Sequence, residues 1–272
     1  MGINKRRALQ MGRLVLEAES GFQYMTPSYR AIYNQLQSIV QSRIKGAITM
    51  ITGEPGCGIS TLLSHVVKCH SAQVLLLSGN VFVGETNIVD HICEDFHLEG
   101  TRKAGVIPAY LPIFASATGR QTLVIDDLDI YIERERDLTE VFEFFQVIGK
   151  GAHALSVIFS TRNTRLVRNF HKHCLTNWQV YNLADNLDFN DLNSMAIREW
   201  GVCNQQVNMK IPTPSNWGQT VVDCGMRLHL VQTALRICYV ENLLGSAGVI
   251  VPDRDKWALK DYELELLQIC YS

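Results

Sequence analysis

Apolar residues along the chain recur with two periods, and the alternation between them sets the expected fold. Ile32, Leu36, Ile39 and Val40 share one helical face within Thr26–Arg43, where Thr26 suits the N-cap and Pro27 the first helical position. Ala47–Thr52 is a short apolar run that reads as a buried strand, followed by a glycine-rich loop and a helix over Ser60–Cys69. Gln73–Ser78, with the sequence QVLLLS, is a second strand of the near-continuous apolar kind that a sheet covered on both faces requires. Thr86–Phe96 and Pro108–Ala117 read as helices, the first with Ile88, Val89, Ile92 and Cys93 on one side. Thr122–Asp127 and Leu155–Thr161 are the next strands, with an apolar-rich helix Leu138–Ile148 between them, and Trp178–Leu183 is a fifth. Strands alternating with helices predict an α/β class with a parallel sheet between helices.

Past Leu187 the strand pattern stops. DFNDLNSMAIREW, GMRLHLVQTALRICYVENLL and Asp255–Cys270 all read as helices, with IPTPSNWGQ as a loop. The expected organisation is therefore a basic N-terminal arm over 1–25, an α/β core over 26–186 and a small all-helical lid over 187–272.

Composition changes this picture little. A chain of 272 residues with 47% hydrophobic and 19% charged residues accommodates one large domain, or a domain with a smaller partner. A net charge of -2 says little about partners. The local bias is at the start, where Lys5, Arg6, Arg7 and Arg13 precede any acidic residue, either as a phosphate-touching arm or as a solvated terminus. The eight cysteines are scattered without CxxC pairs and read as reduced thiols. No secretory signal and no apolar run of about 18 residues appears, so a cytoplasmic protein without a membrane span is expected. His171–Cys174, HKHC, lacks a second ligand pair, so no zinc site is expected there.

The chemistry begins at Gly53, Glu54, Pro55, Gly56, Cys57, Gly58, Ile59, Ser60 and Thr61. This stretch follows a strand, opens a helix and matches the phosphate-binding pattern G-x-x-x-x-G-K-[ST] except that Ile59 stands in the lysine slot. The glycines let backbone N–H groups converge on an anion, and the helix start adds its positive end. Ser60, or alternatively Thr61, offers a hydroxyl to Mg²⁺. Isoleucine cannot reach the β- and γ-phosphates, a loss of roughly 1.5–3 kcal/mol in binding and more in hydrolysis. The strand ending in Asp126 and Asp127 supplies a carboxylate for Mg²⁺ (Asp126) and a candidate base for the attacking water (Asp127). Asp129 reads as a surface residue. Ser160 and Thr161 end the fourth strand with hydroxyls that can orient water, and Arg227 opens the long helix of the lid where its charge can reach a γ-phosphate.

These residues, in this order, resemble an AAA+ ATPase. Within that group the chain is most similar to transposition helper ATPases of the TniB and TnsC type and to the target-selection ATPase of phage Mu, through YMTPSYRAIYNQL, GEPGCGIST, LVIDDLD, VIFSTRNTRL and the lid helix. The resemblance implies a P-loop AAA+ core followed by a helical lid, with ATP and Mg²⁺ as ligands. It also implies an oligomer, ring or filament, on double-stranded DNA that selects target sites and recruits or stimulates a transposase. Gly53, Gly56, Gly58, Ser60 and Thr61 would hold the phosphates, Asp126 would serve Mg²⁺, Thr161 would be the first sensor and Arg227 the second. Three departures stand out: Ile59 for lysine, Asp127 where the family has glutamate, and HKHCLTNW where an arginine-bearing box is expected. All three weaken turnover more than binding. Arg162, Arg165 and Arg168 are substitutes for the missing arginine. For DNA the candidates are Arg102, Lys103, Arg134, Arg136, Arg162, Arg165 and Arg168, touching phosphates rather than bases. The competing class is a degenerate AAA+ scaffold or adaptor in replication initiation, defence or secretion, with no nucleotide-driven cycle.

Overall fold

A computed structural model describes residues 3–18, 25, 27–41, 45–78, 92, 110–132, 135–173, 178–183, 188–214, 217 and 228–272. The chain divides into two compact units, one formed by Arg30–Asn186 and the other by Met1–Tyr29 with Leu187–Ser272.

The first unit is built on a five-stranded parallel sheet. Its strands are β1 (Ile48–Thr52), β2 (Val74–Ser78), β3 (Thr122–Asp126), β4 (Ser156–Thr161) and β5 (Trp178–Asn182), in the order β2-β3-β4-β1-β5. The apolar runs behave as their composition demands: every residue of β4 is buried, and only the last residues of β1 and β3 are half-buried. Helices α2 (Pro27–Gln41), α3 (Ile59–Cys69), α4 (Leu111–Ala117), α5 (Glu135–Ile148) and α6 (Thr164–His173) belong to this unit or enter it, with the division falling inside α2. Met50, Leu77, Ile125, Phe145, Phe159, Phe170 and Trp178 share one core, in which the Phe159 and Phe170 rings meet edge-on at 5.5 Å. All five expected strands form, and α6 is a helix that the hydrophobic pattern did not announce. The helix expected over Thr86–Phe96 lies outside the described residues except for Ile92.

Entry to β1 depends on a glycine. Gly46 adopts φ +75°, and a Cβ built there would meet the Gly149 carbonyl oxygen at 2.1 Å, just past the end of α5.

The second unit is helical. It contains α1 (Lys5–Glu17), α7 (Phe189–Gln206), α8 (Leu228–Ser246) and α9 (Leu259–Tyr271). Trp200, Trp217, Tyr239 and Tyr262 sit in its core. Trp200 Nε1 donates to the Ile211 carbonyl at 2.8 Å, and Asn204 exchanges hydrogen bonds with the backbone of the same residue. That pair pins the loop after α7 where a buried indole would otherwise lack a partner.

The start of the chain, expected as a basic arm that touches phosphates or as a solvated terminus, contains a helix. Asn4 caps α1, and Ala8, Met11, Val15 and Leu16 are buried on one helical face while Arg6, Arg7 and Arg13 remain exposed. Gly12 lets α1 approach α8 and α9 closely, since a Cβ there would stand 2.8 Å from Cys270 Sγ and 3.2 Å from Val240 Cγ1. The basic residues are thus the outer face of an amphipathic helix whose inner face completes this unit's core.

The Gly46→Ala variant is expected to lose about 2 kcal/mol or more of stability, because alanine is strained at positive φ and its methyl collides with backbone. The midpoint of chemical unfolding checks this; an unchanged midpoint would mean that the α5 end and the β1 entry are not packed as described.

Candidate functional site

Parallel pairing brings the carboxyl ends of β1, β3 and β4 to one edge of the sheet, which is where open α/β sheets place their ligands. The glycine loop leaves β1 there. Cys57 N–H donates to the Glu54 carbonyl at 3.1 Å, closing a turn with Pro55 second and Gly56 third at φ +82°, the backbone pattern of a type II turn. Gly58, at φ +92°, caps α3 without a side-chain hydrogen bond, so the first amides of α3 have no side chain from the cap covering them. Ser60 and Thr61 are exposed in that first turn.

Two features test whether a triphosphate fits. Gly56 and Gly58 both hold positive φ, a backbone that leaves loop amides available to an anion, and the start of α3 has no side-chain cap. Against it, Ile59 is only 4% exposed, so its side chain is packed away where a lysine would extend to phosphate. The backbone conformation is compatible with an anion, whereas the buried side chain in the lysine slot offers it no charge.

The acidic end of β3 is organised by β4. Ser160 Oγ donates to Asp126 Oδ1 at 2.8 Å and accepts the Asp127 N–H at 2.7 Å. Asp127 sits in the left-handed region, at φ 58° and ψ 59°, and begins a short 3₁₀ helix (Leu128–Tyr131) without capping it through its side chain. A non-glycine residue in that region stores strain, tolerated best by Asn and Asp. The carboxyl of Asp127 is thereby left free of the turn. Burial pushes that carboxyl above its usual range, the nearby Asp129 and Asp126 push the same way, and Arg162 opposes them.

Asp129 is not the surface residue its position suggested. It is half-buried, accepts the Thr161 hydroxyl at 2.5 Å on Oδ1 and the Arg162 N–H at 2.8 Å on Oδ2. Its spacing from Asp126, one short helical turn, is the feature that could have found it. Thr161 is fully buried, and its Oγ1 also accepts the Asn163 N–H at 3.1 Å. Its hydrogen is therefore committed to Asp129, which changes the reading of Thr161 from a water-orienting group to a holder of the strand end. Asn163 in turn caps α6 by accepting from Arg165 N–H at 2.9 Å.

Of the residues singled out in the sequence, the structure gathers Gly53–Thr61, Asp126, Asp127, Ser160, Thr161 and Arg162 at this edge. Arg165 and Arg168 are exposed on α6. Arg102, Lys103, Arg134 and Arg227 lie outside the described residues, and so does Cys174 of the HKHC stretch. Among the described residues no group of three or more His, Cys, Asp and Glu side chains is placed to hold a metal, and no helix is long and apolar enough to cross a membrane.

No family model matches the chain, and no curated protein matches its sequence. Solved structures do match. A DNA replication initiation factor superposes over 82% of this chain with TM-score 0.50 and 14% identity. AMPPCP-bound DnaA from Aquifex aeolicus covers 86% with TM-score 0.52 and 14% identity, and Drosophila ORC bound to DNA covers 97% with TM-score 0.55 and 12% identity. The chain spans 64%, 66% and 65% of those three chains, under two thirds of each. At such identities the likeness speaks for the fold alone, a five-stranded parallel sheet flanked by helices with a helical region after it in sequence.

Raised in the folded state above its ordinary 3.8, the Asp127 carboxyl favours folding while protonated, and that contribution disappears as pH rises through the folded value. The Asp127→Asn variant, which keeps the tolerance for left-handed backbone, is expected to melt higher than wild type near neutral pH and to match it in acid. Melting temperatures of both proteins from pH 3 upward check this; a constant difference across the range would contradict it.

Proposed function

We propose that the chain is a transposon-encoded AAA+ regulator that binds ATP and double-stranded DNA as an oligomer, selecting target sites and recruiting or stimulating a transposase. The observation that carries the nucleotide half is that the loop Gly53–Thr61 and the Asp126–Asp127 strand end share one sheet edge, with Ile59 buried in the slot where the pattern has lysine. The loop amides hold the phosphates. Ser60 and Asp126 are the residues for Mg²⁺, whose charge would offset that of the β- and γ-phosphate oxygens. Asp127 acts as the base toward water, with its raised pKa suited to accepting a proton. Thr161 acts through Asp129, and Arg227 remains the candidate second sensor.

Nucleotide and DNA binding are further supported by the structural neighbours, one of which is DnaA bound to AMPPCP and another ORC bound to DNA. The transposition role rests on the sequence resemblance alone. Arg102, Lys103, Arg162 and Arg165 are the proposed phosphate contacts on DNA, so binding should weaken steeply with salt. A second reading, an adaptor in replication initiation without a nucleotide cycle, is favoured by the initiators among the neighbours.

Imaging of the protein on duplex DNA, with and without a non-hydrolysable ATP analogue, separates the two. Nucleotide-dependent oligomers on DNA are expected; assembly indifferent to nucleotide would favour the adaptor, and absence of DNA binding at low salt with ATP and Mg²⁺ would overturn the proposal.

Steady-state hydrolysis is expected near background, with Ile59→Lys tightening ATP binding about tenfold. Brisk turnover by the native sequence, or no gain in a folded Ile59→Lys protein, would count against a site limited by its lysine slot.

A further inference from the structure

The buried Ile59 leaves the phosphate end of the site without a cation from the loop, and the neighbouring strand ends in one. Thr52 closes β1 and pairs with Thr161, which closes β4. The next residues, Gly53 and Arg162, therefore leave the sheet side by side, one into the glycine loop and the other carrying a guanidinium. The backbone of Arg162 is fixed, because Asp129 accepts its N–H and the Thr161 hydroxyl together. Its side chain is exposed, and among the described residues it makes no ion pair.

The strand register places Arg162 beside the start of the glycine loop, at the same sheet edge where β3 ends in its acids. Arginine suits that position, since its planar fork matches phosphate oxygens and it keeps its charge in any surroundings.

Building on the nucleotide-binding reading above, we propose that Arg162 supplies, from the same chain, the positive charge that position 59 lacks, by contacting the terminal phosphate of a bound nucleoside triphosphate. The loop amides then hold the anion irrespective of its length, and Arg162 makes the site favour triphosphate over diphosphate. This use of Arg162 is distinct from an arginine reaching into a neighbouring subunit's site, because the residue serves the loop beside it, and it removes Arg162 from the DNA contacts proposed above.

The test is competition of a non-hydrolysable ATP analogue and of ADP against a fluorescent nucleotide, on wild type, Arg162→Ala, Arg162→Lys and the Ile59→Lys/Arg162→Ala double variant. Arg162→Ala should lose about ten- to a hundredfold in triphosphate affinity, with far less change for ADP, and Arg162→Lys should keep part of the preference. Ile59→Lys should restore the preference in the alanine background and gain less in wild type, since the two cations serve one phosphate. Alanine keeps the N–H that Asp129 holds, so melting temperatures should match; if they do not, the lysine variant carries the comparison. A folded Arg162→Ala protein with the wild-type ratio of triphosphate to diphosphate affinity overturns this assignment and leaves the nucleotide reading standing. A wild-type protein that binds neither nucleotide overturns the nucleotide reading itself, and this assignment with it.

Discussion

The site depends on parallel pairing around β4. That strand is buried along its whole length between β1 and β3, so its register fixes where three strand ends emerge. Hydrogen bonds made by its last two residues then set the geometry beyond the sheet. Ser160 ties Asp126 to the turn at Asp127, and Thr161 with the following N–H ties Asp129. These bonds over-determine a left-handed aspartate that would relax if left to itself. Removing the β4 end would release the strain and, with it, the direction in which the Asp127 carboxyl faces.

A phosphate-binding loop divides its work between backbone and side chains, and this chain keeps one part and alters the other. On the proposed reading, amides of the loop at Gly56 and Gly58, both at positive φ, and of the start of α3 cradle the anion whatever residue occupies position 59. The missing lysine bears chiefly on the transition state, where negative charge moves and a mobile cation matters most. A carboxyl of raised pKa at Asp127, and Arg162 just past the strand paired with β1, remain at the same sheet edge. On the proposed reading, that combination favours holding a nucleotide over consuming it.

The helical unit follows a separate logic. It has its own core around Trp200, Tyr239 and Tyr262, with the polar atoms of these three rings satisfied locally while the buried Trp217 Nε1 has no hydrogen-bond partner among the described residues, and it draws α1 from the far end of the sequence. Arg13 stacks 4.3 Å above the Tyr271 ring and pairs with Glu17, which also accepts the Tyr271 hydroxyl, so both chain ends meet on one surface. The exposed part of this arrangement adds little stability. The buried stripe of Ala8, Met11, Val15 and Leu16 is what holds α1 in place.

Elements with strong local patterns were legible in the sequence. Five apolar runs became five parallel strands, and the glycine loop fell between β1 and α3, because the burial of β1, β3 and β4 on both faces and the turn chemistry of Pro55–Gly56 are written in consecutive residues. The acids of β3 and hydroxyls of β4 could likewise be named as strand ends. Their partners could not. Whether Thr161 faces water or Asp129, whether Asp129 is solvated, and whether Arg162 lies beside the glycine loop all depend on pairings between residues more than thirty positions apart. The N-terminal helix shows the same limit, since its basic residues are conspicuous in sequence while its apolar stripe acquires meaning only against α8 and α9. Local pattern determined the elements and the residue types available; long-range register and packing decided which of those side chains meet.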